Sequence, residues 1–267
     1  VFDAERDSIP HVVAIDNLEH LFLRVPGGTD LIERLLTLMA ETDPRIFWIG
    51  GITTSAWQLV TAGEPTAVSQ VDELPLRPLR ASAIREAVMV RHKRSGLPIR
   101  YEEPDTGRKL LRRRLKRARN PEEYQKLLAD DFFESLEKSS DGDLRLALFQ
   151  WLQAADFDSG DGLKIRTVER PNFSVLQSLT LTQNFTLKAF LEHRTLSLAE
   201  HDEIFRLPRQ ESYQIFESLQ NRHLIAGAPN GAERGERSEV QVDLRYHAQP
   251  LLVGAVISHL RGRNIVH

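Results

Sequence analysis

Apolar positions change their spacing along the chain, and each change predicts a change of architecture. The run HVVAI at His11 to Ile15 ends on Asp16, and a second run from Arg45 to Ile52 ends on Thr53, Thr54 and Ser55. Short, continuous apolar runs of this kind predict buried parallel strands. Between them Leu31, Leu35, Leu36, Leu38 and Met39 recur at helical spacing, with Thr29 or Asp30 as the N-cap. A strand, helix, strand unit is therefore expected. Val71 to Leu74 predicts a third, short strand, after which Pro75 and Pro78 mark a change of character.

From Arg80 to Phe157 the pattern is helical, and no sheet is expected there. Ala83, Ile84, Ala87, Val88 and Val90 mark one helix; Leu144, Leu146, Ala147, Leu148, Trp151 and Leu152 mark another. Asp156 to Gly162, DFDSGDG, reads as a linker, with a domain boundary near Arg166. Helices are then predicted around Leu187, Phe190 and Leu191, from Leu198 to Phe205, and from Pro208 to His223. Leu224-Ile225 and Val240 to Leu244 bracket a turn-rich stretch, and a last helix runs from Pro250 to Arg261. Three helices followed by a two-stranded wing is the order of a winged helix. The expected fold is mixed and mostly α: a partial parallel α/β core at 1–78, a helical lid at 79–165 and a winged helix at 166–267.

Composition narrows the possibilities. With 267 residues, 41% hydrophobic and 27% charged, the chain has the make-up of a globular protein. Its net charge of −3 gives no overall field for nucleic acid or membrane, so any such binding must be local. The absence of cysteine excludes disulfides, thiolate metal sites and a cysteine nucleophile, and fits a reducing cytoplasm. The longest apolar runs, such as Leu251 to Ile257, fall far short of the roughly 20 residues of a bilayer span. The histidines lack the spacing of a zinc site, and no nucleophile elbow is present. Because the chain opens at Val1 shortly before a strand, it is expected to be a piece of a longer polypeptide.

The sharpest chemical signal is HVVAIDNLEHLF, residues 11 to 22. A strand ending on Asp16 places a carboxylate where parallel sheets bind ligands, outside their carboxyl ends. A core strand ending on an N-capping Asp fits the same residues. Thr53 at the second strand end is a candidate phosphate sensor or a helix cap. SSDGDLRLALFQW, residues 139 to 151, opens a helix whose first turn carries Arg145, either solvent-facing or aimed at phosphate.

Taken in order, these segments resemble AAA+ and STAND-type P-loop ATPases, in particular the origin-recognition branch. The likeness spans roughly residues 9 to 157 and the winged helix behind them. The resemblance implies that Asp16 is the Walker B carboxylate holding magnesium through water, that Thr53 is the sensor reading the γ-phosphate, and that Arg145 is the lid arginine. ATP and magnesium are the implied cofactors of the intact protein. Where many members carry a glutamate after the Walker B aspartate, this chain has Asn17; Glu19 is the nearest substitute if its turn points inward. No G-x-x-x-x-G-K-[ST] occurs, so the phosphate cradle is not in this polypeptide, and tight nucleotide binding by this chain alone is not expected.

Two further stretches bear on partners. Residues 106 to 119, TGRKLLRRRLKRAR, hold eight basic residues and no acidic one. They suit a nucleic-acid backbone or an anionic lipid surface, but also a solvated helix face balanced by Glu122, Glu123, Asp130, Asp131 and Glu134. In the winged helix, Arg209 and Gln210 face Glu211 and Glu217, and the wing mixes Glu233, Glu236 and Glu239 with Arg234 and Arg237. A protein partner or self-association through the winged helix is expected, with nucleic acid as the alternative through Arg108, Arg112, Arg113, Lys116 and Arg209.

Overall fold

The first apolar run forms strand β1 (His11–Ile15) in the computed structural model, which describes residues 11–42, 45–63, 71–104, 109–156, 162–168, 173–228 and 244–266. The second run forms β2 (Ile46–Gly50), parallel to β1, with Val12 opposite Phe47. Parallel strands need a crossover, which helix α1 (Asp30–Glu41) provides, and α2 (Thr54–Gly63) follows. One face of the pair is packed: Leu18, Phe22, Ile32, Leu36, Ala56 and Val60 form a buried cluster. Leu31 and Leu38, placed with the apolar stripe of α1 by their spacing, are exposed, because the buried stripe centres on Ile32 and Leu36. The other face is open, with Val12 and Phe47 65% and 64% exposed. Val71–Leu74 forms no strand; it has no ladder partner, and Pro75 and Pro78 follow with no N–H to donate.

The chain divides into two compact units: the described parts of Val1–Leu74 with those of Ser174–His267, and those of Pro75–Phe173. The second unit is built on α3 (Ala81–His92), β3 (Ile99–Tyr101), α4 (Lys109–Leu115), α5 (Pro121–Ser140), α6 (Leu144–Ala154), β4 (Ala155–Asp156) and β5 (Leu163–Ile165). Contrary to the sequence expectation, it contains a sheet, in the order β3-β5-β4, with β3 parallel and β4 antiparallel to β5. Gly96 at φ 68° and Pro98 end the preceding helical stretch, freeing Ile99 to Tyr101 to pair with a strand far along the chain. Residues 157–161, read as linker, lie outside the described residues, and the strands flanking them belong to one sheet. Ile84, Val88, Tyr101, Phe132, Phe133, Leu136 and Trp151 form the core of this unit, where Phe132 and Phe133 meet edge to face at 5.4 Å.

Gly142 joins α5 to α6. Its φ is 72°, and an added Cβ would lie 2.6 Å from Pro78 Cβ and 2.8 Å from the backbone nitrogen of Leu79. Gly142→Ala is therefore expected to destabilise the second unit by about 2 kcal/mol, read as a lower urea midpoint; an unchanged midpoint would contradict the requirement.

The later part of the first unit runs α7 (Ser174–Gln177), α8 (Leu181–His193), β6 (Thr195–Ser197), α9 (Leu198–Phe205), α10 (Arg209–Asn221), β7 (Ile225–Ala228), β8 (Arg245–Ala248) and α11 (Val253–Gly262). The antiparallel sheet β6-β8-β7 and this order make a winged helix. Capping boxes start two helices: Thr180 with Gln183 for α8, and Ser197 with Glu200 for α9. The second wing strand is β8, C-terminal to the stretch Val240 to Leu244; residues 229–243, with the charged wing residues, lie outside the described residues. Pairing with both β6 and β7 is what selects 245–248, since Tyr246 and Ala248 then turn into the core. As a whole the molecule is mostly helical with small sheets.

Candidate functional site

The carboxyl ends of β1 and β2 lie side by side. Gly51 donates its N–H to the carbonyl of Ile15 at 2.8 Å, and Leu18 donates to the carbonyl of Gly51 at 2.9 Å. Asp16 leaves the strand here with its side chain exposed, and its Oδ1 accepts from the backbone N–H of Asn17 at 2.8 Å. A Cβ at residue 51 would approach Asp16 Oδ1 to 2.5 Å, and one at residue 50 would reach Leu18 Cδ1 at 2.8 Å. The Gly50-Gly51 pair thus permits close approach between strand end and turn; that is its role, in place of any phosphate cradle.

Asn17 takes the left-handed conformation at φ 60°, ψ 46°, which asparagine tolerates better than most residues, and turns the chain into a 3-10 turn at Leu18–Leu21. That turn points Glu19 inward: the residue is 1% exposed, with Oε2 lacking any hydrogen-bond partner. Thr53 follows β2 by three residues and sits at the start of α2, where its Oγ1 accepts from Ala56 N at 3.4 Å. It therefore caps a helix, and also donates to the carbonyl of Leu191 at 3.4 Å. Arg145 lies in the other unit, exposed in the first turn of α6, where Asp143 Oδ1 accepts from Leu146 N at 2.7 Å as N-cap.

Sequence reading missed what covers this edge. The C-terminal end of α8 packs on it, and Arg194, just past that end, reaches back across the chain. Its Nη1 donates to Asn17 Oδ1 and lies 3.5 Å from Glu19 Oε1. The backbone of Arg194 holds φ 62°, ψ −47°, outside the regions an arginine ordinarily adopts, so the surrounding structure over-determines its placement. A second ion pair, Arg24 Nη1 to Glu192 Oε2 at 2.8 Å, ties the same surfaces together, and the Arg24 guanidinium also lies over the Phe205 ring. Burial raises the pKa of Glu192, while Arg24 and Lys188 oppose that rise. No local sequence pattern announces these contacts, because each joins an arginine to a carboxylate far away along the chain.

His193 sits between the two ion pairs, 2% exposed, with its ring 5.1 Å from Phe22. Burial, reinforced by the positive charges of Arg24 and Arg245, lowers its pKa to about 4, so the ring is neutral near pH 7. Beside it opens a polar cleft bordered by Glu19, His20, Glu200 and Arg245, where Nη2 of Arg245 donates to both carboxylate oxygens of Glu200, at 2.8 and 3.0 Å.

Chemically, the edge offers one exposed carboxylate, Asp16, and a hydroxyl, Thr53, that is already engaged. Among the described residues no group of three or more metal-ligating side chains forms. A lone carboxylate fits magnesium held through its own water shell, since that ion keeps several waters and takes few protein ligands. No family model matches the chain and no curated protein does so. Among solved structures it is similar to that of the Aeropyrum pernix ORC1 protein in complex with DNA, at 15% identity and a TM-score of 0.28. That match covers 96% of this chain and 65% of the other, so this chain spans about two thirds of its length; a likeness that distant carries no conclusion about family or ligand.

Proposed function

We propose that this chain is the C-terminal part of an AAA+ or STAND-like ATPase, in which nucleotide state is relayed to a winged-helix effector with a regulatory or signalling role. In that reading Asp16 holds magnesium through water, Thr53 reads the γ-phosphate, and Arg145 closes over the phosphates from the lid. Glu19 is the carboxylate that would orient a water. Bound Mg·ATP would supply the charge these groups read.

The observation that supports this reading best is where the winged helix docks. Arg194 engages Glu19 and Asn17, the neighbour of Asp16, and Leu191 engages Thr53, so two of the positions assigned to nucleotide are ones the effector contacts. Any ligand that draws Asp16 or Thr53 toward itself must act on those contacts, and a two-state coupling follows. With Glu19 buried under Arg194, the form seen here is the one in which that carboxylate is withheld.

The polypeptide encoded upstream provides the test. A G-x-x-x-x-G-K-[ST] motif within about one hundred residues of Val1 is expected, and the chain extended to include it should bind Mg·ATP, more weakly as Asp16→Ala or Arg145→Ala. Absence of the motif would overturn the reading. For the coupling, Arg194→Ala should speed amide exchange at Leu18–Leu21 and at the end of α8. Arg194→Gly should do the same while remaining about 1 kcal/mol more stable than the alanine variant, because glycine relieves the positive φ. Exchange that stays at the wild-type rate in both would refute the coupling.

A further inference from the structure

The basic run of the second unit is displayed in a way its sequence alone does not reveal. Helix α4 is anchored by Leu111 and Leu115, each 5% exposed and one turn apart, which pack into the core of the unit. The basic residues around them point outward: Lys109, Arg112, Arg113, Arg114, Lys116, Arg117 and Arg119 are all exposed. The turn into α5 is closed by Asn120 Oδ1 accepting from Glu123 N at 2.7 Å, and by Glu123 Oε2 accepting from the backbone N–H of Arg119 at 2.7 Å. The cations therefore stand on a folded ridge, with less ordering entropy left to lose on binding than a loose tail would have.

Two of the neighbouring acidic residues are engaged elsewhere. Asp130 pairs with Arg85 of α3 at 2.6 Å, and Glu123 is occupied by the backbone of Arg119. Among the described residues none of the ridge cations forms an ion pair with a carboxylate. By contrast the outward face of α10 carries Glu211 and Glu217, and its Arg209 lies 3.4 Å from Asp202. The ridge cations, without a carboxylate partner among the described residues, belong to α4 and the turn after it, not to the helix that a winged helix would offer to a groove.

A cleft adjoins the ridge, bordered by Arg100, Arg119, Asn120, Tyr124 and Gln125. Gln125 is committed to the backbone of Tyr101 at both ends of its amide, and the Tyr124 hydroxyl donates to Glu103 at 2.7 Å. That leaves two guanidinium groups and one aromatic ring to meet a ligand. We propose that the α4 ridge and this cleft form a binding site for single-stranded nucleic acid, with backbone phosphates along Arg112, Arg113 and Lys116 and a base against Tyr124. Cations tracking a backbone beside an aromatic platform are what such strands require. A lipid surface fits less well: the apolar side of α4 is spent on the core, and a flat bilayer cannot enter a cleft. The site stands independently of the ATPase reading, since every residue in it belongs to the second unit.

The test is fluorescence anisotropy of the 267-residue chain with a labelled single-stranded oligonucleotide, a duplex, and vesicles containing phosphatidylserine. The triple variant Arg112→Gln, Arg113→Gln, Lys116→Gln is expected to bind the single strand about 100-fold more weakly near 0.1 M salt, and to lower the log–log salt slope by about 2. Tyr124→Leu should weaken the single strand about 10-fold and leave the duplex unaffected. Arg209→Gln should change neither, and circular dichroism with thermal melting confirms that each variant folds. Absence of salt-dependent binding, equal binding by the triple variant, a duplex bound as tightly with Tyr124→Leu silent, or binding to vesicles alone would each overturn the proposal.

Discussion

Replacing Phe216 with alanine is expected to cost the first unit about 4 kcal/mol, a large share of what a domain of this size has in reserve. Phe216 is 1% exposed on α10, and its ring meets three others: Tyr246 at 4.8 Å, His201 at 4.9 Å and Phe190 at 5.4 Å. Those partners come from the wing strand β8, from α9 and from α8, so one ring ties together every layer of the winged helix. Truncation removes the transfer energy of the ring and leaves a cavity that three separate elements would have to collapse together to fill. Segment-resolved amide exchange in rising urea is the measurement. The winged-helix segments should open at lower urea while α5 and α6 keep their midpoint; a shift below about 1 kcal/mol would show that Phe216 is not the tie.

The second large effect is acid lability of the same unit. His201 is completely buried among Thr186, Ser212 and two rings. Because Thr186 Oγ1 already donates to the carbonyl of Thr182 at 3.0 Å, it accepts from Nε2–H, and Nδ1 accepts from the Ser212 hydroxyl at 2.8 Å. Burial lowers the pKa of His201 to about 4, as it does for His193. In the unfolded chain both titrate near 6.5, so between pH 6.5 and 4 the unfolded state binds protons that the folded state refuses. Stability is therefore complete above pH 6.5 and declines as pH falls toward 4, by about 2 kcal/mol per histidine at pH 5. His259, bonded to Asn184 Oδ1 at 2.9 Å, is shifted in the same direction by burial. Glu192, whose pKa is raised, acts in the opposite sense and offsets part of the loss in the acidic range. Urea midpoints at pH 7.5 and 5 for wild type and His193→Gln check this. The variant should lose about half of the pH dependence, and a wild-type midpoint that does not move between those values would sink the assignment.

Much of this protein could be read without its coordinates wherever a local rule was sufficient. Ser197 and Glu200 set the start of α9, Asp143 capped α6, and the β1 run ended on Asp16 as its apolar pattern required. Each depends on residues within one turn or one strand of each other, so neighbours in sequence already hold the information. Within the basic run, spacing marks Leu110, Leu111, Leu115 and Ala118 as a stripe, of which Leu111 and Leu115 are buried and Leu110 is exposed. What the sequence could not carry was anything decided by a distant partner. The strands β3 and β5 are three residues each and pair across more than sixty intervening positions, so neither is distinguishable from a loop until the other is in place. Val71–Leu74 looked like a strand and is not; it joins no ladder, and Pro75 and Pro78 follow it without an N–H to donate. Thr53 had two readings open; it caps the start of α2, and its reading as a phosphate sensor belongs to the proposal. The cover over the candidate site belongs to the same class. Arg194 and Glu19 stand 175 residues apart, and the inward turn of Glu19, the strained backbone of Arg194 and the neutral, buried ring of His193 exist only once α8 is packed against the end of β1. Periodicity and capping are short-range preferences worth fractions of a kilocalorie to about one each; burial of a charge or a ring is settled by everything that surrounds it, and that surrounding is assembled only by the tertiary fold.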